Sequence, residues 1–199
     1  MYCGSISGTN QNVSNLESDN GNSDTVKQGA NSTSNSDVGF SPFIGETTTQ
    51  LNFRSGPGID YPIIMGLATG AEVWVYSSND INGFYKVIEV QSNKIGWVNK
   101  YYVRKIRDAD VNESGVFQSS GNNTNNNCEV EITNQSSYTL TIEVAGYTFT
   151  VYPNSSKTES ITPGSKYYIA SAPGVLPSSG NQNFENGHNY TWTFWVETK

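Results

Sequence analysis

The stretch LNFRSGPGIDYPII, residues 51–64, decides the fold. Leu51 and Phe53 alternate with Asn52 and Arg54, so one pair faces inward on a short strand and the other faces out. Gly56, Pro57 and Gly58 then impose a tight reversal, because proline fixes its own φ and glycine tolerates crowded backbone. The chain leaves that turn through Asp60, Tyr61 and a second proline, Pro62. No nucleophile and no cluster of metal-binding side chains lies in this stretch, so its information is architectural.

The same rhythm continues outward. Turn residues at Ala68–Gly70 precede an alternating strand over Glu72–Tyr76, and Asn79–Gly83 makes the next reversal. Phe84–Val90 and Lys94–Val98 read as a hairpin around Gln91, Ser92 and Asn93, and Tyr101, Tyr102 and Val103 close the segment. Short strands at such close spacing predict a small β-barrel over residues 45–106.

The pieces LNFRSGPG, TGAEVWV, GFYKV, IGWV and YYV stand in that order between Leu51 and Val103. Together they resemble the bacterial SH3-type domains, whose usual run is an LNVRSGPG-like opening, a Val-rich strand, GWYKV, GWV and a closing Tyr-aliphatic pair. Phe84 stands where that family commonly has Trp, and Trp74 where it commonly has a small polar residue. The resemblance implies a barrel with Phe84, Trp97 and Tyr102 packed inside. It also implies a non-catalytic, extracytoplasmic module, in the periplasm or at the cell surface, that recognises cell-wall peptide or glycan (peptidoglycan).

Three further segments flank the barrel. Residues 1–44 are rich in Asn, Ser, Gly and Thr, with too few apolar side chains to offset ordering entropy, and read as a disordered tether. Cys3 followed by Gly-Ser and a polar leash resembles the mature end of a bacterial lipoprotein, which makes Cys3 a lipidation candidate. Residues 107–127 end in an Asn-rich run and read as a linker that lets the domains reorient. Residues 128–199 return to period two, through Val130 and Ile132, Leu140, Ile142 and Val144, and finally Tyr190, Trp192, Phe194 and Val196. The expected fold class is therefore all-β: an SH3-like barrel, then an antiparallel, Ig-like β-sandwich.

Charge narrows the function. Lys and Arg number 11 against 18 Asp and Glu, a formal net charge of -7. Nucleic-acid binding rests largely on cations that displace phosphate counterions, so no nucleic-acid partner is expected. No apolar run reaches the roughly 20 residues needed to cross a bilayer, which leaves a lipid anchor as the only membrane contact.

Catalysis has few candidates. His188 is the one histidine and sits in an Asn-Gly-His-Asn turn, while Cys128 opens a strand. A Cys128–His188 thiol hydrolase is the weakest of the readings, because no oxyanion donors accompany the pair. Glu129 and Glu131 share the outer face of one strand, where solvation explains them. No catalytic residue, metal site or cofactor is expected.

Aromatic side chains are the remaining signal. Val73 and Val75 turn inward by alternation, which turns Trp74 out. Tyr61, Trp74, Tyr85 and Tyr101 then line a shallow groove, with Arg54, Asp60 and Asn82 supplying hydrogen bonds from adjoining loops. These seven residues are the expected ligand contacts. The alternative reading is an adhesion protein that binds an envelope protein through the sandwich, with Trp195 on its outer face.

Overall fold

The computed structural model describes residues 2–4, 40–112 and 116–197, and the chain there is all-β apart from one short 3-10 turn. Strand β1 (Tyr2–Gly4) belongs with the C-terminal region. The barrel is built from β2 (Phe43–Thr47), β3 (Leu51–Arg54), β4 (Ile63–Leu67), β5 (Glu72–Val75), β6 (Phe84–Glu89), β7 (Lys94–Asn99), the 3-10 turn Lys100–Tyr102, and β8 (Val103–Asp108). These strands form one seven-stranded sheet in the order β4-β3-β7-β6-β5-β2-β8.

Alternation sets the core. Phe43, Phe53, Leu67, Val73, Val75, Val87 and Val98 come from six strands and pack as one cluster, which requires the sheet to curl around them. Gly96 makes this closure sterically feasible: a Cβ there would stand 2.6 Å from the Phe53 ring and 2.6 Å from the Arg54 carbonyl. At the hairpin into β6, Asn82 and Gly83 both have positive φ, and Ile81 and Phe84 exchange two backbone hydrogen bonds. Both features mark a two-residue turn of the primed type.

The C-terminal region comprises β9 (Val111–Asn112), β10 (Gln118–Asn122), β11 (Cys128–Asn134), β12 (Leu140–Val144), β13 (Tyr147–Val151), β14 (Ser155–Ile161), β15 (Gly164–Ala172), β16 (Val175–Phe184) and β17 (His188–Glu197). One sheet runs β1-β17-β11-β14, with β10 also paired to β17; the other runs β13-β12-β15-β16-β9. Inward residues of both sheets share one core that contains Val130, Ile132, Leu140, Ile142, Tyr168, Trp192 and Phe194. The pairings β11–β17 and β9–β16 are parallel, so the region is not purely antiparallel.

Two segments depart from expectation. Residues 107–127 are not a free linker: β9 and β10 join opposite sheets, and Phe117 lies in the core, its ring 5.3 Å from Tyr168, 5.3 Å from Phe184 and 5.1 Å from Trp192. One phenylalanine among polar neighbours has no periodicity, yet it buries a large apolar surface. Of the expected tether, residues 5–39 lie outside the described residues. Tyr2–Gly4 pair with Glu197–Trp195 of β17, and Phe43 and Ile44 at the other end are buried in β2.

The barrel and the sandwich do not reorient freely, since both lie within one compact unit. Trp74 does point away from the barrel core, as alternation requires, but it is fully buried, with Tyr76, Ile88 and Trp97 of the barrel and Ile169 of β15. Phe40 covers it at 6.2 Å and stacks on Tyr167 of β15 at 4.6 Å. Beside this apolar seal, the Tyr76 hydroxyl donates to Glu143 Oε2 of β12 at 2.9 Å. Lys86 Nζ lies 3.6 Å from Glu143 Oε1 and 4.1 Å above the Tyr76 ring. At the edge, Asn93 donates to Thr141 at 3.2 Å and the Gly174 amide donates to the Val90 carbonyl at 2.8 Å.

Energetics follow from burial. Removing one member of a buried charge pair costs about 3–5 kcal/mol, because the survivor stays desolvated. Glu143→Ala, which strands Lys86 and Tyr76, is expected to lower stability by roughly that amount in urea denaturation. Trp74→Ala is expected to cost about 3–5 kcal/mol by the same measurement. The Tyr76 phenol is held well above its ordinary value, by burial first and then by the Glu143 charge. Its contribution is therefore complete below the usual phenol range near pH ~10 and is lost as pH rises beyond it. Alkaline denaturation should consequently begin at higher pH in Tyr76→Phe than in the native chain, read by circular dichroism.

Candidate functional site

The end of the barrel near the Gly-Pro-Gly loop is held by many short contacts. Ser55 N–H donates to Pro62 O at 3.0 Å, Gly58 N–H to Gly56 O at 3.0 Å, and Arg54 Nη1 to Tyr61 O at 2.8 Å. The ring of Tyr61 lies directly on Gly56, where a Cβ would come within 2.1 Å of it. Gly56 is thus required for space; among the described residues it is not one of the glycines with positive φ. Asn82 Nδ2 reaches Pro57 O at 3.4 Å and ties the neighbouring turn to this loop.

Facing the loop is the 3-10 turn. Asn99 caps it by accepting from Tyr101 N–H at 3.0 Å, and the Tyr102 carbonyl accepts from Thr48 N–H at 2.9 Å. Lys100 is committed to Asp80 at 2.5 Å, and Asp80 also accepts from Gly83 N–H at 2.7 Å. The Lys100 hydrogen bond, followed by the Gly83 amide, holds the Asp80 carboxyl below its ordinary value.

Loop and turn enclose an open cleft of about 410 Å³. Asn52, Arg54, Ile59, Phe84, Asn99 and Tyr102 are among its walls. Ile59 is 74% exposed, and Tyr101, beside Tyr102 on the turn, is 78% exposed. Flat rings, one guanidinium and several amides suit stacking and hydrogen bonding to an extended ligand. Its titratable side chains are Arg54 and Tyr102, and Thr49 supplies the one aliphatic hydroxyl.

The expected contacts divide between this end and elsewhere. Arg54 lines the cleft, Tyr61 and Asp60 sit in its loop, Asn82 braces that loop, and Tyr101 flanks the turn. Trp74 and Tyr85 do not belong with them. Trp74 is sealed beneath the sandwich, and Tyr85 is half-buried against the barrel core, edge-on to Phe43 at 5.5 Å. Tyr102, expected to pack inside, is 47% exposed and walls the cleft. Asn52 was legible, since alternation places it on the face of Arg54; Ile59 and Asn99 carry no such signal.

The thiol reading fails on geometry. Cys128 is buried, its Sγ donates to Glu185 O at 3.0 Å, and burial pushes its pKa up, the reverse of nucleophile activation. The ring of His188 turns instead to Asn186 O at 3.2 Å. Trp195 is half-buried on the part of β17 that pairs with β1. Among the described residues no group of three or more His, Cys, Asp or Glu is placed to hold a metal ion, and no helix is long and apolar enough to cross a membrane. The side chain of Cys3, the lipidation candidate, lies outside the described residues.

Comparison with known proteins adds one match. No curated protein and no solved structure matches this chain. The family model of the bacterial SH3 domain matches residues 49–104, a span that holds the loop, the cleft and the 3-10 turn. Residues 49–104 are a bacterial SH3-type domain.

Proposed function

We propose that the protein is a non-enzymatic, extracytoplasmic binding protein whose barrel cleft takes cell-wall peptide or glycan, with peptidoglycan as the target. The observation that carries this reading is the exposed Ile59, Tyr101 and Tyr102 set around Arg54, Asn52 and Asn99 at the end of an SH3-type barrel. Rings cover a sugar face or an extended backbone, and the amides and guanidinium fix its register. Arg54 keeps donors beyond the one given to Tyr61 O, since a guanidinium has five. The ligand contacts in this reading are Arg54, Asn52, Asn99, Ile59, Tyr101 and Tyr102, with Tyr61, Asp60 and Asn82 shaping the loop.

Sedimentation with purified peptidoglycan tests it. The native chain should be retained, and Tyr101→Ala combined with Tyr102→Ala should reduce retention at least tenfold at unchanged stability. Gly56→Ala, which drives Tyr61 off its seat, should weaken retention several-fold. No retention of the native chain, or full retention of the double variant, overturns the assignment.

A further inference from the structure

The two edges of the seven-stranded sheet are β4 and β8, and they differ in kind. β8 carries Arg104, Lys105, Arg107 and Asp108, the charged protection that natural edge strands use against pairing with another chain. β4 reads Ile63-Ile64-Met65-Gly66-Leu67 and has no charge at all. Among the described residues its one partner is β3, and no described strand lies beside its outer row of backbone donors and acceptors. Ile63 is 54% exposed, and Gly66 is exposed as well.

Beside β4 lies a cleft of about 510 Å³ that shares no lining residue with the Gly-Pro-Gly loop. Met65, Gly66 and Leu67 form one wall, Val90 and Gln91 the other, and Gly174 of the sandwich reaches its rim. Docking of the two domains therefore helps to shape it. The lining holds two carboxylates, Glu72 and Glu89, and no cation. Glu89 accepts from the Ser92 and Gln91 amides of its hairpin, whereas exposed Glu72 forms none of the ion pairs found among the described residues.

We propose that β4 is a strand-addition site for an extended peptide segment of another protein that carries a lysine or arginine. Main-chain hydrogen bonds to the open edge supply affinity, the adjoining cleft takes alternate side chains, and Glu72 selects the cation. Charge complementarity favours this occupant, because the cleft and the chain as a whole are acidic. This site is separate from the loop cleft and does not depend on it.

The test uses the full chain and an acetylated, amidated Thr-Val-Lys-Val-Thr peptide, with backbone amide NMR shifts as readout. Saturable shifts are expected in β4 and at Glu72, and they persist in Arg54→Ala. A Cβ at Gly66 meets nothing within 4 Å, so Gly66→Lys installs an edge charge without a clash. It should lower affinity at least tenfold with an unchanged thermal midpoint. Glu72→Gln should abolish the preference for this peptide over its norleucine counterpart. Unmoved β4 amides, or undiminished binding by Gly66→Lys, would overturn the proposal. So would β4 shifts that follow protein concentration alone, since a second copy would then be the occupant.

Discussion

One carboxylate fixes how the barrel meets the sandwich. Glu143 projects from a strand of the sandwich and receives both the Tyr76 hydroxyl and the Lys86 ammonium of the barrel. A buried charge pair is a poor source of net stability but a strict judge of geometry, since displacement of either partner leaves the other desolvated. The free energy of docking comes from the neighbouring apolar seal of Trp74, Ile88 and Ile169. Among the described residues the Trp74 indole N–H has no hydrogen-bond partner, so that seal relies on packing, and the polar contact beside it supplies the register.

This arrangement redistributes the surface available for recognition. An isolated barrel would offer Trp74 and Tyr76 to solvent; here the sandwich occupies that face. The barrel's loop end and its uncharged edge each carry an open cleft. The Trp74 seal and the contacts of Tyr76 and Lys86 with Glu143 tie the barrel to the sandwich on that face.

How far the sequence discloses this depends on the range of the interaction. Period-two alternation placed Phe53, Val73 and Val75 inside and Trp74 outside, because side-chain direction on a strand is local. Whether an outward ring meets water is not local: the residues that cover Trp74 belong to β15 and to the segment before β2. The same limit hid Phe117, a lone aromatic in an Asn-rich stretch, and the parallel β11–β17 pairing, which joins strands far apart in the chain. At the candidate site, Arg54, Tyr61 and Tyr101 could be read from the motif and its turn. Tyr102 could not, because the motif suggests packing, whereas the helical turn that caps on Asn99 holds it at the surface.

The position of β17 has a consequence for biogenesis. Flanked by β11 on one side and by β10 and β1 on the other, it is the spine of its sheet, yet it follows all the other described strands in the chain. At about 5–20 residues per second, β17 emerges on the order of ten seconds after the barrel strands, and until then the edge of β11 that it will cover has no partner. An unpaired strand edge is a template for pairing with another chain, so β11 is the segment of the sandwich most exposed to misassembly before β17 arrives.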